Sequence, residues 1–382
     1  MKKCMVAFDS FKGSLSAVDA CAVVAQELRS ARAGAVITEC PLADGGEGTV
    51  GALLSGLAGG MWCDCRVNGP LAEMMVDAGY AWFPEERMAA LEMASAAGLP
   101  LLRPEQYNPM KTTTLGVGEL IGRAVERGAQ TILLGVGGSA TMDCGIGAAS
   151  ALGWQFQDRE GHSVRYGAEA LLRVERIVPP AESLPCRVQV LCDVTNPLTG
   201  PRGAARVYGP QKGAAPDMIE KIESGMQRFA EQIRRQTGIE VQELAGAGAA
   251  GGLAAGAVAF MQGELVSGIQ RVMRAVRFEE RCADADWIIT GEGRLDDQSV
   301  QGKVLSGVLD VARRTGAKVA VIAGEVTLDQ QGLQKAGITC AVALRKPGMT
   351  VAYAMEHSPQ LLREAVTRFH GSNIPMQSSH FH

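Results

Sequence analysis

The sequence predicts an α/β protein in which a Rossmann-like parallel-sheet domain is built from both chain ends and a second, mixed α/β domain is inserted between them. Three observations carry this expectation. Strand–loop–helix units open the chain and return at its end, the alternation that builds a parallel sheet. Between them, three strand-like runs (62–67, 75–82 and 88–92) follow one another without a helix, which reads as an antiparallel meander and a new domain. The 382 residues also exceed one typical hydrophobic core. The expected division is 1–60 with 282–382 for the first domain and 61–281 for the insert, with an active site in the cleft between them.

Residues 5–8 form a short apolar strand that empties into Asp9-Ser-Phe-Lys-Gly-Ser14, and Ser14 or Ser16 can cap a helix running to about Ser30. A second strand over 36–40 opens into Asp44-Gly-Gly-Glu-Gly-Thr49, and a helix over 49–57 starts there with its free N–H groups facing the loop. Asn68-Gly69-Pro70 turns the meander. Helical periodicity over 115–126 precedes an apolar strand at 131–134, which leads to Gly137-Gly-Ser-Ala-Thr-Met-Asp143 and a helix over 145–152. Residues 154–165, centred on Asp158-Arg-Glu-Gly161, read as a hairpin. An apolar run at 188–192 then feeds the stretch 192–214, and an amphipathic helix spans about 216–236. Strands at 287–290, 318–323 and 340–344 and a helix over 304–315 restore the alternation. Ser358-Pro359 starts the last helix, which Gly371 ends. The tail beyond Ser372 reads as polar and loose.

Bulk properties exclude several classes. A hydrophobic fraction of 47% with 20% charged residues describes an ordinary globular chain. The net charge of −4 is spread along the sequence, leaving no basic stripe for nucleic acid and no polybasic membrane patch. The start reaches Asp9 too soon for a signal-peptide core, and the longest apolar run, 253–261, is too short to span a bilayer. Ten cysteines occur without a Cys-x-x-Cys spacing, so reduced thiols and a cytoplasmic protein are expected. Of the five histidines, His370, His380 and His382 fall near the C-terminus, and neither His162 nor His357 sits in a glycine loop after a strand. A Ser-His-Asp triad or a histidine zinc site is thereby disfavoured, and acid–base chemistry falls to carboxylates or lysines.

The chemical signal lies in five loops. Asp9–Ser14, Asp44–Thr49, Gly137–Asp143 and 291–297 each follow an apolar strand with glycine and a carboxylate. In open α/β sheets ligands bind outside the carboxyl ends of the strands, where such loops lie. Backbone N–H groups there cradle phosphate oxygens, and carboxylates hold Mg²⁺ directly or through water. The fifth, 192–214, places Asp193 at the emergence of a buried strand and adds Arg202, Arg206 and Lys212 among glycines and prolines. A competing signal is Gly246-Ala-Gly-Ala-Ala-Gly251, which matches a dinucleotide fingerprint if 241–244 is its strand and Glu264 its ribose-binding acid. That would make the protein an NAD(P)-dependent hydroxy-acid oxidoreductase. A non-catalytic anion-binding protein is the other alternative.

The chain resembles the bacterial glycerate kinases that phosphorylate D-glycerate with ATP. The resemblance runs from Met5 to about Glu325 and rests on Asp9-Ser-Phe-Lys-Gly-Ser14, Ala43-Asp-Gly-Gly-Glu-Gly-Thr49, Thr112-Thr-Thr-Leu-Gly-Val-Gly-Glu-Leu120, Gly137-Gly-Ser-Ala-Thr141, Cys192-Asp-Val-Thr-Asn-Pro-Leu198, Gly209-Pro-Gln-Lys-Gly-Ala214 and Thr290-Gly-Glu-Gly-Arg-Leu-Asp296. It implies a two-domain enzyme that makes 2-phosphoglycerate. Phosphoryl transfer needs positioning, charge neutralisation and a base for the hydroxyl proton. Asp193 is the candidate base, with Lys12 and Arg294 as further catalytic residues and partners for the glycerate carboxylate. Asp9, Ser10 and Asn196 complete the expected glycerate site. Gly45, Gly46, Gly137, Gly138, Ser139, Lys212 and Gly291 are assigned to ATP, and Asp44, Glu47 and Asp296 to Mg²⁺ or its waters. Glu92 and Asp143 read as structural. The expected partners are ATP and D-glycerate, without nucleic acid or membrane, and the sequence is compatible with a homo-oligomer.

Overall fold

The computed structural model describes residues 2–32, 34–164, 166–296 and 304–372. The chain separates into two compact units. The first comprises Met1–Asp44, Gly51–Leu57 and Ile269–His382, the second Gly45–Val50 and Ala58–Gly268.

The first unit is built on a five-stranded sheet in the order Cys340–Ala343, Lys318–Ala323, Trp287–Thr290, Lys3–Val6, Val36–Glu39, with every pair parallel. Its central strands read as unbroken apolar runs because both faces are covered. On one face the helices Ala17–Ala31 and Ser358–Ser372 pack together, and Cys21, Val24 and Leu28 share a core with Leu362, Ala365 and Phe369. Phe369 meets the Trp287 ring edge-on at 5.5 Å. The helix Val304–Thr315 packs on the strands Trp287–Thr290 and Lys318–Ala323. Ser16 starts the first helix, its Oγ accepting the N–H of Asp19 at 3.1 Å.

The strand order fixes where a ligand binds. From Lys3–Val6 the chain moves outward to Val36–Glu39. From Trp287–Thr290, which pairs with the other edge of Lys3–Val6, it moves outward the opposite way. The carboxyl ends of these two strands therefore flank a topological switch point, the crevice that open α/β sheets use for ligands.

The second unit holds a six-stranded sheet in the order Glu264–Val266, Arg187–Leu191, Thr131–Gly135, Met88–Glu92, Met75–Phe83, Met61–Asn68. The first four strands are parallel, and the last two complete an antiparallel meander. Glu92, Gly135, Leu191 and Val266 thus end their strands on one side of the sheet.

Two local expectations are adjusted. Residues 154–165 turn back as a short hairpin, with the N–H of Asp158 donating to the carbonyl of His162, that of Val164 to the carbonyl of Phe156, and Gln157 bridging Ser163, but Gln155–Gln157 finds its longer strand pairing with Arg176–Val178. Asp158 holds the turn, its carboxylate accepting the N–H groups of Glu160 and His162 and the guanidinium of Arg173. Arg165 lies outside the described residues. The second correction concerns 241–244, which is not a strand. Without the strand, Gly246–Gly251 is not a dinucleotide loop. Gly251 is left-handed (φ +65°), and a Cβ there would lie 1.9 Å from the carbonyl oxygen of Thr141. That glycine serves close packing of backbone on backbone, which leaves a pyrophosphate no room. Among the described residues no helix is long and apolar enough to cross a membrane. His380 and His382 and the tail after Ser372 lie outside the described residues.

Candidate active site

A cavity of about 400 Å³ opens at the switch point of the first unit. Asp9, Ser10, Phe11, Lys12 and Ser14 line it from the loop after Lys3–Val6, and Glu292, Gly293, Arg294 and Asp296 from the loop after Trp287–Thr290. Asp44 follows Val36–Glu39, while Gly324, Glu325, Leu344 and Arg345 follow the two outer strands. Val351, Ala354, Met355 and Ser358 close it from the C-terminal helices. Predicted residues from three separate loops, Asp9, Ser10, Lys12, Asp44, Arg294 and Asp296, therefore line one cavity. Asp297 lies outside the described residues.

Backbone bonds register the two principal loops. The N–H of Asp9 donates to the carbonyl of Gly291 at 3.1 Å, and Asp9 Oδ1 accepts the N–H of Ser10 at 2.7 Å. Gly291, expected to face ATP, is buried: a Cβ there would stand 1.9 Å from the carbonyl oxygen of Ile322. Its absent side chain lets the loop lie against the neighbouring strand. On the opposite wall Ser14 Oγ donates to the carbonyl of Met355 at 2.9 Å and lies 2.7 Å from Ser358 Oγ. The loop is thus fastened to the C-terminal helices.

Acid exceeds base around the cavity. Among the described residues that line it, Asp9, Asp44, Glu292, Asp296 and Glu325 stand beside Lys12, Arg294 and Arg345. Arg345 donates to Glu325 Oε1 at 2.6 Å, while Arg294 Nε stands 3.4 Å from Asp296 Oδ2 and 3.9 Å from Glu325 Oε2. Hard oxygen donors in such excess suit Mg²⁺, which takes one or two carboxylates together with substrate phosphates and water. Of the predicted metal set, Asp44 and Asp296 share the cavity, whereas Glu47 lies in the second unit and does not line it. Among the described residues no group of three or more His, Cys, Asp and Glu side chains is close enough to hold a metal by itself.

In the second unit the other predicted loops gather at the strand ends. Gly45 is buried with φ +91°, and a Cβ would lie 2.6 Å from Leu191 Cβ. A Cβ on Gly137 would lie 2.7 Å from Gly46 Cα. Gly45, Gly46 and Gly137 therefore meet beside the strand Arg187–Leu191. Gly138 is exposed, and Ser139 is buried. Asp193 is exposed at the end of that strand, its Oδ1 accepting the N–H of Gly268 at 3.1 Å. This bond orients the carboxylate.

Lys212 and Asn196, expected to meet ATP and glycerate, both make internal hydrogen bonds. Lys212 is only 2% exposed; its ammonium donates to Ser139 Oγ at 2.7 Å and to the carbonyl of Thr141 at 2.8 Å. Burial pulls its pKa down to about 7, opposed by the attraction of Asp143. Asn196 is bound at both ends of its amide, donating to the carbonyl of Arg202 and accepting the hydroxyl of Tyr208, each at 2.8 Å. It shapes the 192–214 loop.

Asp143 and Glu92 do the structural work anticipated for them. Fully buried Asp143 accepts the N–H and hydroxyl of Thr114, both at 2.9 Å, and the N–H groups of Gly145 and Gly147. Burial raises its pKa, and those donors hold it down. Glu92 Oε1 accepts the N–H of Val50 at 2.9 Å. Its carboxyl is raised by burial and lowered by the N–H groups of Val50, Gly48 and Thr49. The helix start at Thr49, expected to face a ligand, is therefore satisfied by this internal carboxylate. Glu92→Ala is expected to cost about 1–3 kcal/mol in urea unfolding by stranding these donors, and Glu92→Gln to restore most of it. Equal stability of wild type and Glu92→Ala would remove the capping role.

Sequence reasoning missed Glu292, Glu325, Arg345 and the wall from Leu344 to Ser358. Glu292 had a signal, its place in the Gly291 loop. Arg345 follows a strand that was recognised. Val351, Ala354 and Met355 carry no glycine or charge motif and come into view only through the packing of the C-terminal helices.

Comparison with known proteins places these sites in context. The model of the glycerate kinase family matches residues 4–371. The chain is 38% identical over 382 residues to glycerate kinase of Bacillus subtilis strain 168, covering 99% of each chain. It is 40% identical over 344 residues to glycerate 2-kinase of Escherichia coli K12, covering 88% of each. A crystal structure carrying the name glycerate kinase 2, from Salmonella typhimurium LT2, superposes with a TM-score of 0.84 at 39% identity, covering 97% of both chains.

Proposed function

Since this chain belongs to the glycerate kinase family, we infer that it is an ATP-dependent kinase that transfers the γ-phosphoryl group to an alcohol group of D-glycerate and yields 2-phosphoglycerate. Beyond the family match, the observation that supports this reading is the cavity at the switch point, where the chemistry a phosphate site needs (glycine, cation and carboxylate at strand ends) converges. The nicotinamide alternative loses its basis with the missing strand at 241–244.

The roles follow from what each group can do. Asp193 takes the proton from the acceptor hydroxyl, since it is an exposed carboxylate at the end of the strand Arg187–Leu191, whereas Glu92 and Asp143 are bound internally. Its bond to Gly268 N–H holds one carboxylate oxygen in place and so orients the group towards the acceptor hydroxyl. Lys12 and Arg294 neutralise substrate charge. Ser139 and the Gly45, Gly46 and Gly137 cluster gather at the strand ends of the second unit, where N–H groups and a hydroxyl suit phosphate oxygens, and Lys212 bonds the Ser139 hydroxyl. Asp44 and Asp296 would hold Mg²⁺, which when bound neutralises charge on the phosphates.

Purified protein with Mg²⁺, ATP and D-glycerate is expected to release ADP and accumulate the 2-phosphate, resolved from the 3-phosphate by ³¹P and ¹H NMR. Exclusive 3-phosphate would refute the regiochemistry, and absence of ADP release the kinase reading.

A further inference from the structure

We propose that the cavity of the first unit holds the nucleoside end of ATP, with the base seated on the apolar wall that the C-terminal segment provides and the phosphates directed to Lys12 and Arg294. The proposal rests on the kinase reading and assigns one of its two substrates to this cavity.

Size comes first. About 400 Å³ lies within the range of sites for drug-sized ligands, roughly 300–1,000 Å³, and a three-carbon hydroxy acid would leave most of it empty. Polarity agrees. Phe11, Leu344, Val351, Ala354 and Met355 supply its apolar lining, the last three from the single helix Val351–Glu356. Glycerate, a carboxylate with two hydroxyls on a short chain, has no apolar face to offer them, whereas a purine ring has two.

Charge favours the same substrate. The excess of carboxylates repels a bare organic acid but suits phosphates that arrive with a divalent cation. Arg345 and Arg294 are both drawn to Glu325, which gathers cationic heads at one carboxylate of the lining. Ser10 adds a direct ligand. Its Oγ is buried without a hydrogen-bond partner, and Ser10 lines the cavity. A buried hydroxyl of that kind costs free energy until a ribose or phosphate oxygen engages it. The wall is also built to stay in place: Ser14 bonds Met355 and Ser358, and a Cβ on Gly13 would come 3.1 Å from Met355 Cε. Lys12 and Arg294, set against the glycerate carboxylate by sequence reasoning, then serve phosphates.

The test uses full-length Ala354→Phe, which fills the cavity from the helix Val351–Glu356, and Ser10→Ala, which removes the buried hydroxyl without adding volume. Calorimetric titration with ADP and Mg²⁺ is expected to show at least tenfold weaker binding for Ala354→Phe and about tenfold for Ser10→Ala, one charge-assisted hydrogen bond. Steady-state KM for ATP should rise in parallel while KM for D-glycerate stays within twofold. Wild-type protein that binds no ADP, variants that bind it normally, or a rise confined to the glycerate KM would each overturn the assignment. Nucleotide binding that both substitutions weaken, in a protein that fails to turn over glycerate, would uphold the cavity assignment and refute the acceptor reading instead. If Ala354→Phe does not fold, Ser10→Ala carries the decision alone.

Discussion

Asp193→Asn should lower kcat by about 10²–10⁴ while leaving the fold intact, the range that removal of a general base produces. Asparagine is the informative replacement because its Oδ1 can still accept the N–H of Gly268, the bond that orients the native carboxylate. The ability to take a proton is lost. Asp193 is exposed and asparagine matches its shape, so far-UV circular dichroism and Tm should match wild type. Single-turnover kinetics with saturating ATP and glycerate isolate the chemical step from binding. A kcat within twofold of wild type would transfer the base role away from Asp193. A fall in kcat accompanied by a lowered Tm would instead mark the Gly268 contact as the part that mattered, and Asp193→Ala, which removes both, would then lose no more than Asp193→Asn.

Much of this site was legible because its parts stand at strand ends. The strands Trp287–Thr290 and Lys318–Ala323 and the helix Val304–Thr315 coincide with their expected bounds. A strand covered on both faces is a continuous apolar run, and a glycine loop terminates it sharply. From there, the switch point follows from the order of strands, and the loops carrying Asp9, Asp44 and Arg294 are named before any side chain is placed. What stayed hidden has a common cause. Glu92 caps a helix far from it in sequence, and Met355 becomes a wall only when its helix meets the Ser14 loop. Asn196 looked like a ligand and spends its amide on Arg202 and Tyr208. In each case the function of the residue is decided by a partner that local sequence does not identify. The Gly246 fingerprint misled in the opposite direction. Its glycines are demanded by backbone packing, which leaves the same spacing as a phosphate loop without the strand that would give it meaning.

Lys212 poses the sharpest test of the second unit, because its charge and its position pull stability in different directions. Burial lowers its pKa to about 7 from an ordinary 10.5, so between those values the unfolded chain binds a proton that the native protein has released. Stability attributable to this group must therefore rise with pH across that window, at a slope of at most about 1.4 kcal/mol per pH unit. Below pH 7 the lysine is charged in both states and the burial penalty is fully present. Lys212→Met removes the titrating group but leaves Ser139 Oγ and the carbonyl of Thr141 without their donor, and a buried acceptor so stranded costs about 1–3 kcal/mol. The two effects separate on a plot of wild-type minus Lys212→Met stability against pH, measured by urea unfolding from pH 6.5 to 9.5. Buried thiols such as Cys4, pushed up to about 12 by burial, also titrate differently in the two states, but they are common to both proteins and cancel in the difference. The difference should climb with pH. A flat difference would mean that Asp143 keeps Lys212 charged in the fold. The ammonium would then act on Ser139 as a permanent cation, and activity would show no alkaline step that Lys212→Met abolishes.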